Sequence, residues 1–315
     1  MNHHRFSIAA IALTATLLKP TLAQTSTPPQ TAPSYTPAAP HGFGEVSNLA
    51  ALQKQAASGD PEAAFQLGEA YWIGTTIPKD LALAQQWMDK ASAAGSLEAQ
   101  LFLGMALYTG YNIPKDHARA AHYLQLAADK TPAEPVAALA QYTLATMYQQ
   151  GDALPQSTPK AIHYYQLAIA ANSSAAAFDL GTLYFNGTGT KPDKDTACDL
   201  FQQAGQQGHV PSIAALAFCY EQGQGREKDH SRALELYKLA GDAGNFLASA
   251  KAANLYLERK KLSEAYAWFR ISQSEGNPSV QPDLDRLKPI LNPLQLAASN
   301  AAFIQWQAQH TPPTP

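Results

Sequence analysis

The segment Ile77-Pro78-Lys79-Asp80 returns unchanged as Ile113-Pro114-Lys115-Asp116, a step of 36 residues in a chain of 315. Laid along the chain as a ruler, that step brings other positions into columns. Small residues stand at Ala63, Ala99, Ala140, Ala176, Ser212 and Ala248. Four residues later come Leu67, Leu103, Leu144, Leu180, Leu216 and Ala252, each followed by Gly or Ala. Tyr71, Leu107, Tyr148, Tyr184, Tyr220 and Tyr256 form a third column. Gly74, Gly110, Gly151, Gly187 and Gly223 close the first half of each unit, with Arg259 in the sixth. The second half opens at Asp80, Asp116, Ser157, Asp193 and Asp229 and carries bulky pairs such as Trp87/Met88 and Tyr164/Tyr165. Columns this regular through most of a chain mark a repeat array, and an array decides the architecture before any local structure is read.

Each half reads as a helix. Asp or Ser at the start of the second half suits an N-cap, which accepts a hydrogen bond from a first-turn amide. Gly after the aromatic column supplies the left-handed residue that ends a helix. Spacings of three, four and seven put the small, Leu and Tyr columns on one face. A single helix pair cannot bury that face alone, so the pairs stack into a solenoid.

The run Ala63-x3-Leu67-Gly68-x2-Tyr71-x2-Gly74, repeated from Ala176 to Gly187, resembles the Sel-1-like repeat, a relative of the tetratricopeptide repeat. A 36-residue period with a longer inter-helix loop favours that family over tetratricopeptide units. The resemblance implies an all-α fold: a right-handed α-α superhelix of about six helix-pair repeats with helical caps. Repeats are expected at about 60–95, 96–131, 132–172, 173–208, 209–244 and 245–276. The third carries five extra residues near Thr131–Pro135, and the sixth loses four in its internal loop. Val46–Ser58 is expected to cap the front, and Asp283–Lys288 with Pro293–Gln309 the back, inside a C-terminal cap at 277–310.

Outside the expected solenoid (41–310) the chain reads differently. Residues 1–23 have a short basic start, an apolar run from Phe6 to Leu18 and Thr21-Leu22-Ala23, the features of a cleaved secretory signal. Residues 24–40 are rich in Pro, Thr, Ser, Ala and Gln and read as a disordered linker; 311–315 read as a similar tail. The protein is therefore expected in the periplasm or outside the cell, with no stable membrane span after cleavage.

Composition excludes several functions. With 22 Lys+Arg against 25 Asp+Glu and a net charge of −3, the chain lacks the basic excess of a nucleic-acid binder. Two cysteines exclude a disulfide-dense scaffold and a cysteine-rich zinc module. No cofactor motif and no metal-ligand spacing is found; His117 and His122, five apart, do not share a helix face as four-apart ligands do. Ser157-Thr158-Pro159-Lys160 has the form Ser-x-x-Lys of penicillin-recognising enzymes. Ser157 stands in the N-cap column, however, and the partner motifs are missing.

Cys198 and Cys219 lie on the second helix of the fourth unit and the first helix of the fifth, equidistant from the turn at Gly208-His209. An antiparallel pair sets them at matching heights, both facing inward. A disulfide and two buried free thiols are the two readings, and both are structural.

At about 100° per residue, the side of each first helix opposite the small and Leu columns carries a second set of residues. These are Phe65, Glu69 and Trp72; Leu101, Met105 and Tyr108; Tyr142, Thr146 and Gln149; Phe178, Thr182 and Phe185; and, beside Ala214, Phe218 and Glu221. The resemblance implies that this side lines the concave surface. So many aromatics there read either as an apolar groove for a peptide or protein partner or as core between repeats. The expected function is a non-catalytic protein–protein interaction scaffold. Two alternatives stand beside it: a cell-wall- or β-lactam-acting hydrolase, resting on family analogy and Ser157/Lys160, and a polysaccharide or peptidoglycan binder, since aromatics also suit sugar faces.

Overall fold

The structure, a computed structural model, describes residues 49–75, 77–130 and 135–310. The expected signal, linker and tail, residues 41–48, and 131–134 of the insertion lie outside the described residues. Among the described residues there are fifteen α-helices, two short 3-10 turns and no strand.

A front helix, α1 (Leu49–Ala57), precedes six pairs. They are α2 (Pro61–Ile73) with α3 (Leu81–Ala93), α4 (Leu97–Thr109) with α5 (His117–Lys130), and α6 (Pro135–Gln150) with α7 (Thr158–Ala170). Next come α8 (Ser174–Asn186) with α9 (Lys194–Gln206), α10 (Val210–Gln222) with α11 (His230–Asp242), and α12 (Phe246–Glu258) with α13 (Leu262–Ser274). Two further helices, α14 (Gln281–Leu287) and α15 (Pro293–His310), close the chain. The helices form two compact units, divided between Asn172 and Ser173.

The small columns exist because the pairs pack closely. Ala63, Ala99, Ala140 and Ala176 are buried on the first helices, and Ala84, Ala120, Ala161 and Ala197 are buried on the second. A Cβ on Gly68 would fall 2.7 Å from the Met88 side chain, and one on Gly181 the same distance from the Phe201 ring. The bulky column of the second helix thus fills the space that the first helix leaves empty.

The turns are held by backbone bonds and caps. In five pairs the amide opening the second helix donates to a carbonyl nine residues back, in the aromatic column: Asp80 to Tyr71, Asp116 to Leu107, Ser157 to Tyr148, Asp193 to Tyr184 and Asp229 to Tyr220, at 2.9–3.0 Å. The sixth pair differs. Lys261 donates to Tyr256, five residues back, as Asn245 does to Ala240 in the turn between pairs. Lys260 takes φ 58° in that shorter turn, where the between-pair turn has Gly244 at 88°. The four missing residues are thus the difference between two ways of closing a turn.

The side chain of Asp80 accepts from the amides of Ala82 and Leu83 at 3.0 Å. Asp80→Ala should cost about 1 kcal/mol in urea unfolding. Backbone amides also hold two capping carboxylates below the ordinary range, that of Thr196 for Asp193 and that of Arg232 for Asp229. Groups so depressed stabilise the fold above their unfolded values, and the gain is lost as pH falls through the folded ones. Urea midpoints measured from about pH 5 down to about pH 3 should therefore fall less steeply in D193N/D229N than in the parent.

At the far end of the second unit, Phe303 of α15 enters a core with Leu284, Leu287 and Phe269. The Arg270 guanidinium lies 4.0 Å from the centre of the Phe303 ring and donates to Asn300 at 2.5 Å.

Candidate functional site

In the first unit the outward positions of the first helices do not form one open strip. Trp72 is 2% exposed, its ring edge-on to Phe102 at 4.9 Å and stacked near Tyr111 at 6.2 Å. Leu101 and Met105 belong to a core with Leu124, Leu144 and Met147. Tyr142 is buried with its ring 6.1 Å from Tyr165, and the buried Thr146 hydroxyl donates to the Thr143 carbonyl at 2.7 Å. Phe65, Glu69, Tyr108 and Gln149 remain half-buried. Tyr108 lies over His117 at 5.0 Å, and His117 pairs with Asp152 at 2.8 Å. Burial first, then the Asp152 carboxylate, pushes the Tyr108 hydroxyl above its ordinary pKa, against a hydrogen bond with Thr146.

In the second unit Phe185 is buried, between the rings of Phe201 at 6.3 Å and Phe218 at 6.0 Å. Phe178, Thr182, Phe218 and Glu221 are half-buried. Phe178 packs on Phe201 and on His209, whose imidazole is pushed toward its neutral form by burial. Glu221 accepts from the Tyr237 hydroxyl at 2.8 Å and pairs with Lys251 at 3.5 Å; Lys251 also sits 5.8 Å from the Phe218 ring centre. Desolvation, followed by the charge of Glu221, drives the Tyr237 pKa far up, so that hydroxyl stays a donor. Gln149 is placed likewise in the first unit, accepting from Tyr165 at 2.6 Å.

The expectation of fourteen residues on one docking surface is thus corrected. Trp72, Leu101, Met105, Tyr142, Thr146 and Phe185 are interior, and eight residues stay within reach of solvent. Helical periodicity distinguishes the side facing the partner helix from the side away from it. It does not say how far the next first helix covers that side. Phe102 and Lys251 escaped notice because both stand one residue off the columns chosen; their shared offset from Ala99 and Ala248 was the available signal.

The other candidates have structural occupations. Ser157 caps α7 by accepting from the Lys160 amide at 3.5 Å, while the Lys160 ammonium lies 5.0 Å from the centre of the Tyr148 ring. Cys198 and Cys219 are joined as a disulfide between α9 and α10, with Cα atoms 6.4 Å apart. His122 and His163 are exposed and edge-on to Tyr123 and Tyr164. Among the described residues, no three His, Cys, Asp or Glu are grouped to hold a metal, and no helix is long and apolar enough to cross a membrane.

Stacked helix pairs, each with a small-residue first helix against a bulky second, define an α-solenoid repeat protein. The Sel1 repeat profile matches residues 61–96, 97–131, 138–173, 174–209 and 210–245, more than half of the sequence, and the chain belongs to the Sel1 repeat family. Such repeat scaffolds commonly serve protein interaction. The α12–α13 pair repeats the architecture beyond the last matched segment. Among solved structures, the chain is similar to a protective antigen of uropathogenic Escherichia coli strains, at 25% identity and a TM-score of 0.69 over 82% of this chain and 56% of that one. It thus spans little more than half of that relative's length. It is also similar to a Sel1 repeat protein from Oxalobacter formigenes, at 27% identity and a TM-score of 0.61 over 75% of this chain and 68% of that one. No curated protein matches the sequence.

Proposed function

We propose that the protein is a non-catalytic scaffold of the periplasm or cell exterior, binding a peptide or protein partner through the first-helix side of its repeats. The observation that carries this reading is a half-buried aromatic and charged set in the second unit: Phe178, Phe218, Glu221 and Lys251. Partly exposed rings offer apolar area at small entropic cost, and a polar pair beside them fixes register. In the first unit Phe65, Tyr108 and Gln149 offer a similar mixture. The amino-terminal segment 1–23 supports export.

The test is affinity capture from a periplasmic extract with the chain from Gln24 onward. F178S/F218S should reduce capture of a specific partner at least roughly tenfold, the loss expected for removing two partly buried anchors. Lys251→Glu, which removes no ring, should weaken capture with the helical circular dichroism unchanged. A partner retained by both variants would refute the site. A reporter fused after residue 40 that stays active only in the cytoplasm would refute the location.

A further inference from the structure

We infer that the proline-rich segment Gln24–Pro40 is a ligand carried by the chain itself, docking on an aromatic strip of the first unit formed by Phe65, Phe102 and Tyr111. These three rings are half-buried and reach solvent. Phe65 meets Phe102 edge-on at 6.3 Å, Phe102 meets Trp72 at 4.9 Å, and Trp72 stacks near Tyr111 at 6.2 Å. Trp72 is interior, yet its indole Nε1 is buried with no hydrogen-bond partner. A buried donor left so costs about 1–3 kcal/mol, and native folds keep few of them. The strip therefore offers apolar ring area together with one N–H in want of an acceptor.

Position, chemistry and charge point to residues 24–40 as the occupant. The chain enters its first helix at Leu49, which packs on the same core as Phe65, and Phe65 also packs on the core that holds Trp72. Pro40 stands nine residues before Leu49, a reach of up to about 30 Å, against steps of 4.9–6.3 Å between the rings. Pro28, Pro29, Pro33, Pro37 and Pro40 carry apolar rings and a preset φ, which lets such segments dock on aromatic faces at low entropic cost. Each proline keeps its carbonyl but has no N–H, so the segment is rich in acceptors, the group that Trp72 lacks. Residues 24–40 include no Asp, Glu, Lys or Arg, so docking on rings strips no charge of water. A tethered ligand acts at an effective concentration in the millimolar range, so weak contacts suffice to seat it. Docking would also withhold Phe65 from a partner; that consequence alone rests on the binding role proposed above.

The test uses the chain from Gln24 onward. Ser34→Cys supplies a single free thiol for a nitroxide label, because Cys198 and Cys219 are joined to each other. In the NMR spectrum the Trp72 indole N–H and the amides of Phe65, Phe102 and Tyr111 should lose most of their intensity, with α7 amides as an unaffected reference. P28S/P29S/P33S/P37S/P40S in the same labelled chain should restore those signals and shift the Trp72 indole resonance. These substitutions lie outside every helix, so circular dichroism should stay unchanged. No loss at the strip, or a loss that survives the five serines, would overturn the inference. A mixture of labelled chain and isotope-enriched unlabelled chain separates the occupants. Loss of the same signals in the unlabelled copy would assign the strip to a second molecule and overturn the intramolecular ligand; intact signals there support it.

Discussion

Gly225→Ala should cost roughly 3–4 kcal/mol in chemical unfolding, far more than most single changes in a loop. Gly225 sits at φ 70°, a conformation that penalises any L side chain by about 1–2 kcal/mol. The larger part comes from space. A Cβ there would lie inside the contact radius of the Lys194 carbonyl group and only 2.8 Å from Cys198 Sγ. Backbone at the start of α9 and a cross-linked sulfur cannot swing aside as the end of a lysine could. Gly208 provides the control, since it has φ 81° but nothing within 4 Å of its would-be Cβ. Gly208→Ala should therefore show only the backbone penalty. Equal losses in the two variants would contradict the steric account.

Removing the Cys198–Cys219 link should cost about 3 kcal/mol, the chain-entropy estimate for a loop closed across a separation of 21 residues. Cys198→Ala/Cys219→Ala is the suitable variant, because both sulfurs are buried and a serine hydroxyl would arrive without a partner. Denatured without reductant, the parent should titrate no free thiol, and two reactive thiols would remove the basis of the prediction. The two perturbations share atoms, so G225A combined with C198A/C219A should lose less than the sum of the separate losses.

What could be read from the sequence followed from what repeats enforce. The small and bulky columns recur because Gly68 against Met88 and Gly181 against Phe201 are the same contact made again. The caps were legible because Asp80, Asp193 and Asp229 each satisfy amides within their own turn. The matching heights of Cys198 and Cys219 needed only their equal distance from one turn. The outward face was less legible. Trp72 and Phe185 occupy the same register, as Leu101 and Tyr142 do, and all four are covered, whereas Tyr108 and Phe178 in those registers are not. Cover of that kind depends on how each first helix is rotated against its neighbours, a quantity that no periodicity within one helix encodes.

The shortened turn of the sixth pair bears on how such a chain can change. Its amide reaches back five residues where the others reach nine, and intermediate closures do not occur among the described pairs. Length variation inside a pair is then quantised: shedding four residues exchanges one closed ring of backbone for another, while shedding two leaves the opening amide of the second helix facing no carbonyl. Insertions and deletions in these turns should accordingly survive in descendants as steps rather than as a continuum.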